Sequence, residues 1–176
     1  MLKKMLIILG VLAALTLLMA GAVGFTLPRQ HRATSSIRLQ APPDRVWDIV
    51  RDPGALQGVW PELEASHRLP DRDGKELWEQ KAGGFDMRLI IEETVAPTRL
   101  VTRIDAEADA PFGGTWTYEL TPQAGGTLVR VTEDGWVGNP LFRIVMHTMG
   151  LHRTLDGYLT ALATRLGEDA TPEHLR

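Results

Sequence analysis

The segment Ile37 to Pro61, IRLQAPPDRVWDIVRDPGALQGVWP, constrains the fold more than any other part of the chain. Thr34 to Gln40 alternates apolar and polar residues and reads as a strand, which Ala41-Pro42-Pro43 ends. Proline is tolerated in the first helical turn, where its missing N–H has no intrahelical partner to lose. Val46, Trp47, Ile49 and Val50 then form an apolar face at helical spacing. Asp52-Pro53-Gly54 breaks that helix, and a second short helix is expected over Gly54 to Val59, ahead of Trp60-Pro61.

The remainder alternates between strand patterns and turn signals. Strands are expected over Glu62–Leu69, Glu76–Lys81, Phe85–Val95, Leu100–Ala106, Gly114–Thr121 and Thr127–Val137. Asp71-Arg72-Asp73-Gly74, Gly83-Gly84, Pro97-Thr98 and Gln123 to Gly126 punctuate them. Asn139-Pro140 is a favourable helix start, with Asn as the cap and Pro at the first position. From Leu141 to Leu166 apolar residues recur at spacings of three and four, Gly150 is a place for a kink, and Gly167 is a stop. Consecutive strands joined by tight turns make an antiparallel sheet, and a helix with one apolar stripe must bury it against that sheet. The expected class is α+β: a helix-grip fold of about seven strands in the order β-α-α-β6-α, wrapped on a long C-terminal helix.

Met5 to Leu27 is an uncharged apolar stretch preceded by Lys3 and Lys4. It is long enough for a membrane helix, which needs about 20 apolar residues, and Arg29, His31 and Arg32 could sit at the second interface. A cleaved signal peptide is the alternative, with Ala20-Gly21-Ala22 as a small-x-small site, but the apolar run continues past it. The lysines favour a cytoplasmic N-terminus and a domain on the extracytoplasmic side. The organisation is thus residues 1–28 as anchor or signal peptide, 29–168 as the folded domain, and 169–176 as a polar tail.

The chain resembles the START-like, Bet v 1-like (SRPBCC) superfamily, labelled polyketide cyclase/dehydrase and lipid transport, over about Ala33 to Gly167. The resemblance rests on IRLQAPPDRVWDIVRDP, on Trp60-Pro61, on GTWTYELTPQAGGTLVRVTED and on the terminal helix. Membrane-anchored versions of the superfamily resemble uncharacterised bacterial proteins more than any defined enzyme. The resemblance implies a cavity between curved sheet and long helix, holding a lipid, isoprenoid quinone, sterol or polyketide. These motifs mark fold, and fold does not imply function.

The residues exclude several chemistries. There are no cysteines, hence no disulfides and no thiolate sites. No basic stripe interleaved with aromatics suggests nucleic acid, and the net charge is −3. His147 and His152 are spaced wrongly for a helical metal pair, and no metal or cofactor motif is present. Serines occur only at Ser35, Ser36 and Ser66, with no nucleophile elbow.

Acids within strands are the better candidates. Glu93 shares alternation with Met87, Leu89 and Ile91, and Glu133 shares it with Val129 and Val131, so both carboxyls are candidates for the cavity face. Arg88, Arg103 and Arg130 could clamp a polar head or line the outer face. Trp47, Trp60, Trp78, Trp116 and Tyr118 suit either core or cavity wall. The candidate ligand wall is Trp60, Trp78, Met87, Leu89, Ile91, Glu93, Trp116, Tyr118, Glu133, Leu151 and Leu155. The expected function is binding of a hydrophobic small molecule beside the membrane without transforming it. The alternatives are a cyclase or dehydratase using Glu93 or Glu133, and a protein-interaction module of the cell envelope.

Overall fold

The computed structural model describes residues 2–107 and 110–174, apart from the side chains at positions 13, 14, 17, 18 and 20. After helix α1 (Leu2–Thr26) come β1 (Gln30–Leu39), α2 (Pro43–Val50), β2 (Leu63–Arg72), β3 (Lys75–Ala82), β4 (Phe85–Val95) and β5 (Arg99–Ile104). The chain closes with β6 (Phe112–Gln123), β7 (Gly126–Val137), α3 (Pro140–Met149), α4 (Arg153–Leu166) and β8 (Glu173–His174). One antiparallel sheet contains every strand in the order β2-β3-β4-β5-β6-β7-β1-β8. This is the α+β helix-grip arrangement, with β1 lying beside β7.

The sheet grips α4. Leu155, Leu159 and Leu162 of α4 are fully buried against Ile37, Val46, Leu100, Val129 and Val131. Two polar ties lock this grip where β1 gives way to α2. Glu168, just past α4, accepts from the amides of Gln40 and Ala41 at 2.7 and 2.8 Å. Thr127, 1 % exposed, donates its hydroxyl to the Ala41 carbonyl at 2.8 Å. A buried carbonyl without a partner is costly, so the Thr127 hydroxyl contributes to the stability of the fold.

Four expectations are corrected. Gly54–Val59 is not a helix but a run of turns, in which Gln57 and Val59 donate to carbonyls three residues back. Gln80 holds that run to the sheet by donating to the Pro53 carbonyl at 2.8 Å. The C-terminal helix is split: Gly150 at φ 88° ends α3 and lets α4 leave in a new direction. The polar tail contributes β8, whose Glu173 and His174 pair with Ser36 and Ser35 of β1. Finally, β4 carries a bulge between Ile91 and Glu93. One extra residue reverses the alternation beyond it, so Ile91 is buried whereas Glu93 is exposed.

Among the described residues no helix is long and apolar enough to cross a membrane. The spanning helix expected over 5–27 is therefore not shown. What the structure describes is α1 with Leu6, Ile7, Ile8, Leu9, Val11, Leu12 and Leu15 all more than half exposed. Its C-terminal end meets the domain. Gly24 is buried so tightly that an added Cβ would lie 2.2 Å from the Pro140 carbonyl oxygen. Arg143 of α3 reaches across the junction, donating to the carbonyls of Leu27 at 3.3 Å, Val137 at 2.9 Å and Gly138 at 3.0 Å. A guanidinium with five donors in a planar fork suits this gathering of helix-end and loop carbonyls.

Candidate ligand cavity

Because the sheet curves and α3 departs from the line of α4, the two layers do not close on each other. A cavity of about 510 Å³ lies between them, a volume typical of small-molecule sites. Leu63, Met87, Leu89, Leu100, Trp116 and Tyr118 form part of the sheet wall, and Leu151 and Tyr158 face them from the helical side. An aromatic group stands at one side: Tyr158 meets Trp60 edge-on at 5.6 Å and Trp116 at 5.9 Å, with Tyr118 at 5.4 Å.

The other side is covered by α3. Phe142 packs against Phe85 at 5.7 Å and Phe112 at 6.3 Å, joining α3 to the first residues of β4 and β6. Asn139 caps α3 by accepting from the amides of Leu141 and Phe142. No residue of α3 is buried; Val145, Met146 and Met149 line the cavity, while Leu141, Val145 and Met149 are 44 to 50 % exposed. The helix is thus apolar towards the cavity and also towards solvent.

Polar side chains also reach the wall, among them Gln80, Thr102, Arg153 and the phenols of Tyr118 and Tyr158. Burial pushes the Tyr118 phenol well above its ordinary range; Thr102 pulls against that shift and the nearby Glu133 charge adds to it. Burial, with Tyr118 beside it, likewise raises Tyr158. Both phenols therefore keep their protons at neutral pH and act as donors rather than bases.

Of the expected wall, Trp60, Met87, Leu89, Trp116, Tyr118, Glu133 and Leu151 lie on the cavity, whereas Trp78, Ile91, Glu93 and Leu155 do not. Trp78 donates its indole N–H to Glu76 at 2.9 Å. Ile91 and Leu155 belong to the packed core. Glu93 pairs with Arg99 at 3.2 Å on the exposed side of the bulge, which removes it as a cavity acid. Arg103 pairs with Glu92 at 2.6 Å, and Arg130 lies 3.8 Å from Glu119; neither lines the cavity.

Sequence reasoning misses much of the wall, including Leu63, Leu100, Met146 and Tyr158, and a titratable residue with them. His31, read as an interfacial residue after the apolar run, is instead in β1 opposite Gly135 of β7, and it lines the cavity. Its signal is present but short: His31 stands on the same alternation as Ala33, Ser35 and Ile37, just ahead of Thr34, where the strand is expected to begin.

Away from the cavity, Ser35 donates to Asp156 at 2.8 Å and meets His152 Nδ1 at 3.1 Å, while His174 bonds Asp156 at 2.7 Å. This resembles a triad only in composition. The serine proton goes to the aspartate, and Ser35 is wholly buried, so the network joins β1, α4 and β8. Among the described residues no group of three or more potential metal ligands converges, and His147 stays exposed on α3 while His152 joins this network.

Residues 30–168 match the family "Polyketide cyclase / dehydrase and lipid transport", and the chain belongs to that family. No curated protein matches it. Among solved structures, a protein of Thermus thermophilus is 19% identical with a TM-score of 0.62, covering 77% of this chain and 97% of that one. A conserved protein of Geobacillus kaustophilus is 16% identical with a TM-score of 0.62, over 82% and 100%. A START superfamily protein of Mycobacterium smegmatis is 17% identical with a TM-score of 0.61, over 78% and 97%. At these identities the likeness is one of fold.

Proposed function

We propose that this protein binds a hydrophobic small molecule, of lipid, quinone or polyketide-like character, between its sheet and its C-terminal helices, and does so at a membrane surface. The observation that carries the reading is the 510 Å³ cavity, walled mainly by Leu, Met, Phe, Trp and Tyr side chains inside an otherwise packed domain. Empty apolar space is unfavourable, because its lining forgoes dispersion contacts that a ligand would restore. Family membership supports the same class.

The membrane half of the proposal rests on the N-terminal stretch. What supports it is the uncharged apolar sequence Met5 to Leu27, which exceeds the roughly 20 apolar residues that a membrane helix needs. Helix α1 presents Leu, Ile, Val and Phe around its surface, with Lys3 and Lys4 at its start. In this reading the N-terminal stretch anchors the domain to the bilayer, with Lys3 and Lys4 on the cytoplasmic side and the domain outside. The last turn of α1 abuts Pro140, so the exposed apolar face of α3 lies beside the bilayer surface. A hydrophobic ligand would then travel only a short distance through water.

The test uses the neutral dye N-phenyl-1-naphthylamine and the full-length protein in phospholipid nanodiscs, with empty discs as the partition control. Saturable dye binding is expected, and Met87→Trp combined with Met146→Trp, which fills the cavity from both layers, should abolish it. Unsaturable binding, or binding indifferent to the double substitution, would remove the cavity from the account.

A further inference from the structure

The cavity wall is mainly apolar but carries Asp52, Glu62, Gln80, Thr102, Arg153 and Thr154, and at one place on its sheet side two further polar groups, His31 and Glu133, stand without hydrogen-bond partners among the described residues. His31 has a side chain only 9 % exposed, and its Nε2 makes no hydrogen bond among the described residues. Glu133 is next to it, with Oε1 at 3.5 Å from that nitrogen, beyond an ordinary hydrogen bond. The Glu133 side chain is 20 % exposed, lines the same cavity and accepts no hydrogen bond from any described residue. Native folds rarely bury such groups unpaired.

The local backbone makes room for this pair. The imidazole lies across Gly135, where an added Cβ would be 2.6 Å from His31 Cε1 and 2.7 Å from Nε2. On the neighbouring strand, Gly113 and Gly114 are equally crowded, a Cβ at Gly113 meeting the Trp136 ring at 2.9 Å. The register sets Glu133 between Ala33 of β1 and Trp116 of β6, so its carboxyl is flanked by a methyl and an indole. Trp60, whose indole nitrogen is likewise unpartnered among the described residues, also lines the cavity, near Gly157 of α4.

We propose that Glu133, backed by His31, is the polar anchor of the cavity, and that it selects an apolar molecule carrying a neutral hydroxyl, a phenol or an alcohol. A carboxylate offers about four acceptor sites and no donor. His31 can occupy one of them, and the remainder ask for a donor. A hydroxyl donates to Glu133 and can accept in turn from the imidazole. A carboxylate head on the ligand would instead set like charge against Glu133, and a plain hydrocarbon would leave both protein groups unpaired. The inference rests on the cavity-binding reading and adds the chemical class of the ligand.

Three probes of one skeleton separate the two: naphthalene, 2-naphthol and 2-naphthoate, titrated into full-length protein in nanodiscs with empty discs subtracted. Wild-type protein should bind naphthalene, bind 2-naphthol about tenfold more tightly, as befits a hydrogen bond to a charged acceptor, and bind 2-naphthoate no better than naphthalene. Glu133→Leu and His31→Phe should each erase most of the hydroxyl preference, read as the ratio of 2-naphthol to naphthalene affinity, with far-ultraviolet circular dichroism reporting that each variant is folded. Equal affinity for naphthol and naphthalene in the wild type, a preference that survives both substitutions, or tightest binding of naphthoate would each overturn the anchor while leaving the cavity reading in place. Failure of all three probes to bind would overturn both.

Discussion

Replacing Gly135 by alanine should be harmful only because His31 is there. The new Cβ would sit 2.6 Å from His31 Cε1, whereas carbon atoms rest comfortably at about 3.5 Å. The imidazole must therefore retreat by roughly 1 Å or leave its rotamer, and overpacking of this kind costs about 1–3 kcal/mol. Against it, alanine restricts the unfolded chain and returns about 0.4–1 kcal/mol. The backbone of Gly135, unlike that of Gly114, is not among the positive-φ positions, so it adds no strain of its own. Gly135→Ala should thus destabilise by about 1 kcal/mol net in the wild type, and should be neutral or stabilising in a His31→Ala background. The difference between backgrounds is the overpacking term, about 1–3 kcal/mol, and a double-mutant cycle isolates it. Urea unfolding of full-length protein in a non-ionic detergent, followed by tryptophan emission, measures all four corners. A coupling below about 0.5 kcal/mol, the usual scatter of independent sites, would refute the placement of His31 over Gly135.

Three further outcomes are expected. Thr127→Val keeps the shape but leaves the Ala41 carbonyl unpartnered. It should cost about 2 kcal/mol and lower Tm by about 4–8 °C in a thermal melt; an unchanged Tm would show that the carbonyl has another partner. Arg51, first among the causes, holds the Glu76 carboxyl below its ordinary value of 4.5. The unfolded chain then binds that proton more readily, so the stabilisation is present above the ordinary value and fades as pH falls through the lowered one. Unfolding midpoints between about pH 6 and pH 3 should drop further for the wild type than for Glu76→Gln, and parallel curves would contradict the pairing. Arg143→Ala should free the junction of α1 with the domain, raising the rate of proteolytic cleavage near residues 24–29, and Arg143→Lys should rescue little, since lysine lacks the planar fork. Wild-type cleavage rates in Arg143→Ala would mean that the close packing of Gly24 on Pro140 suffices.

Much of the fold can be read from alternation and turn chemistry, because each signal is local. Phe85–Val95 and the turn at Gly74 depend on neighbours a few residues away, and the Asn139-Pro140 start specifies a cap by itself. What escapes depends on partners distant in sequence. The bulge after Ile91 arises from pairing with β5 and leaves no mark in β4, yet it decides that Glu93 faces solvent while Glu133, on an unbulged strand, faces the cavity. The eighth strand pairs with β1, and there His174 meets Asp156 and stacks on His152. Gly54–Val59, expected as a helix, runs as turns, with Gln80 of β3 bonded to the Pro53 carbonyl just ahead of it. For His31, three basic residues after an apolar run suggest a membrane interface, a pattern that outweighs its alternation with Ala33 and Ser35. The aromatic wall of Trp60, Trp116 and Tyr118 is legible as apolar, but whether it encloses space or fills it depends on the departure of α3 at Gly150.

The most direct test of the central claim is native mass spectrometry of the full-length protein, extracted gently from membranes, with the released small molecules analysed in parallel. Wild-type protein should carry a discrete, stoichiometric organic adduct of neutral hydroxyl-bearing character, reduced in the Met87→Trp, Met146→Trp double variant. A protein that is bare when isolated, and stays bare after incubation with a total lipid extract, would contradict the claim.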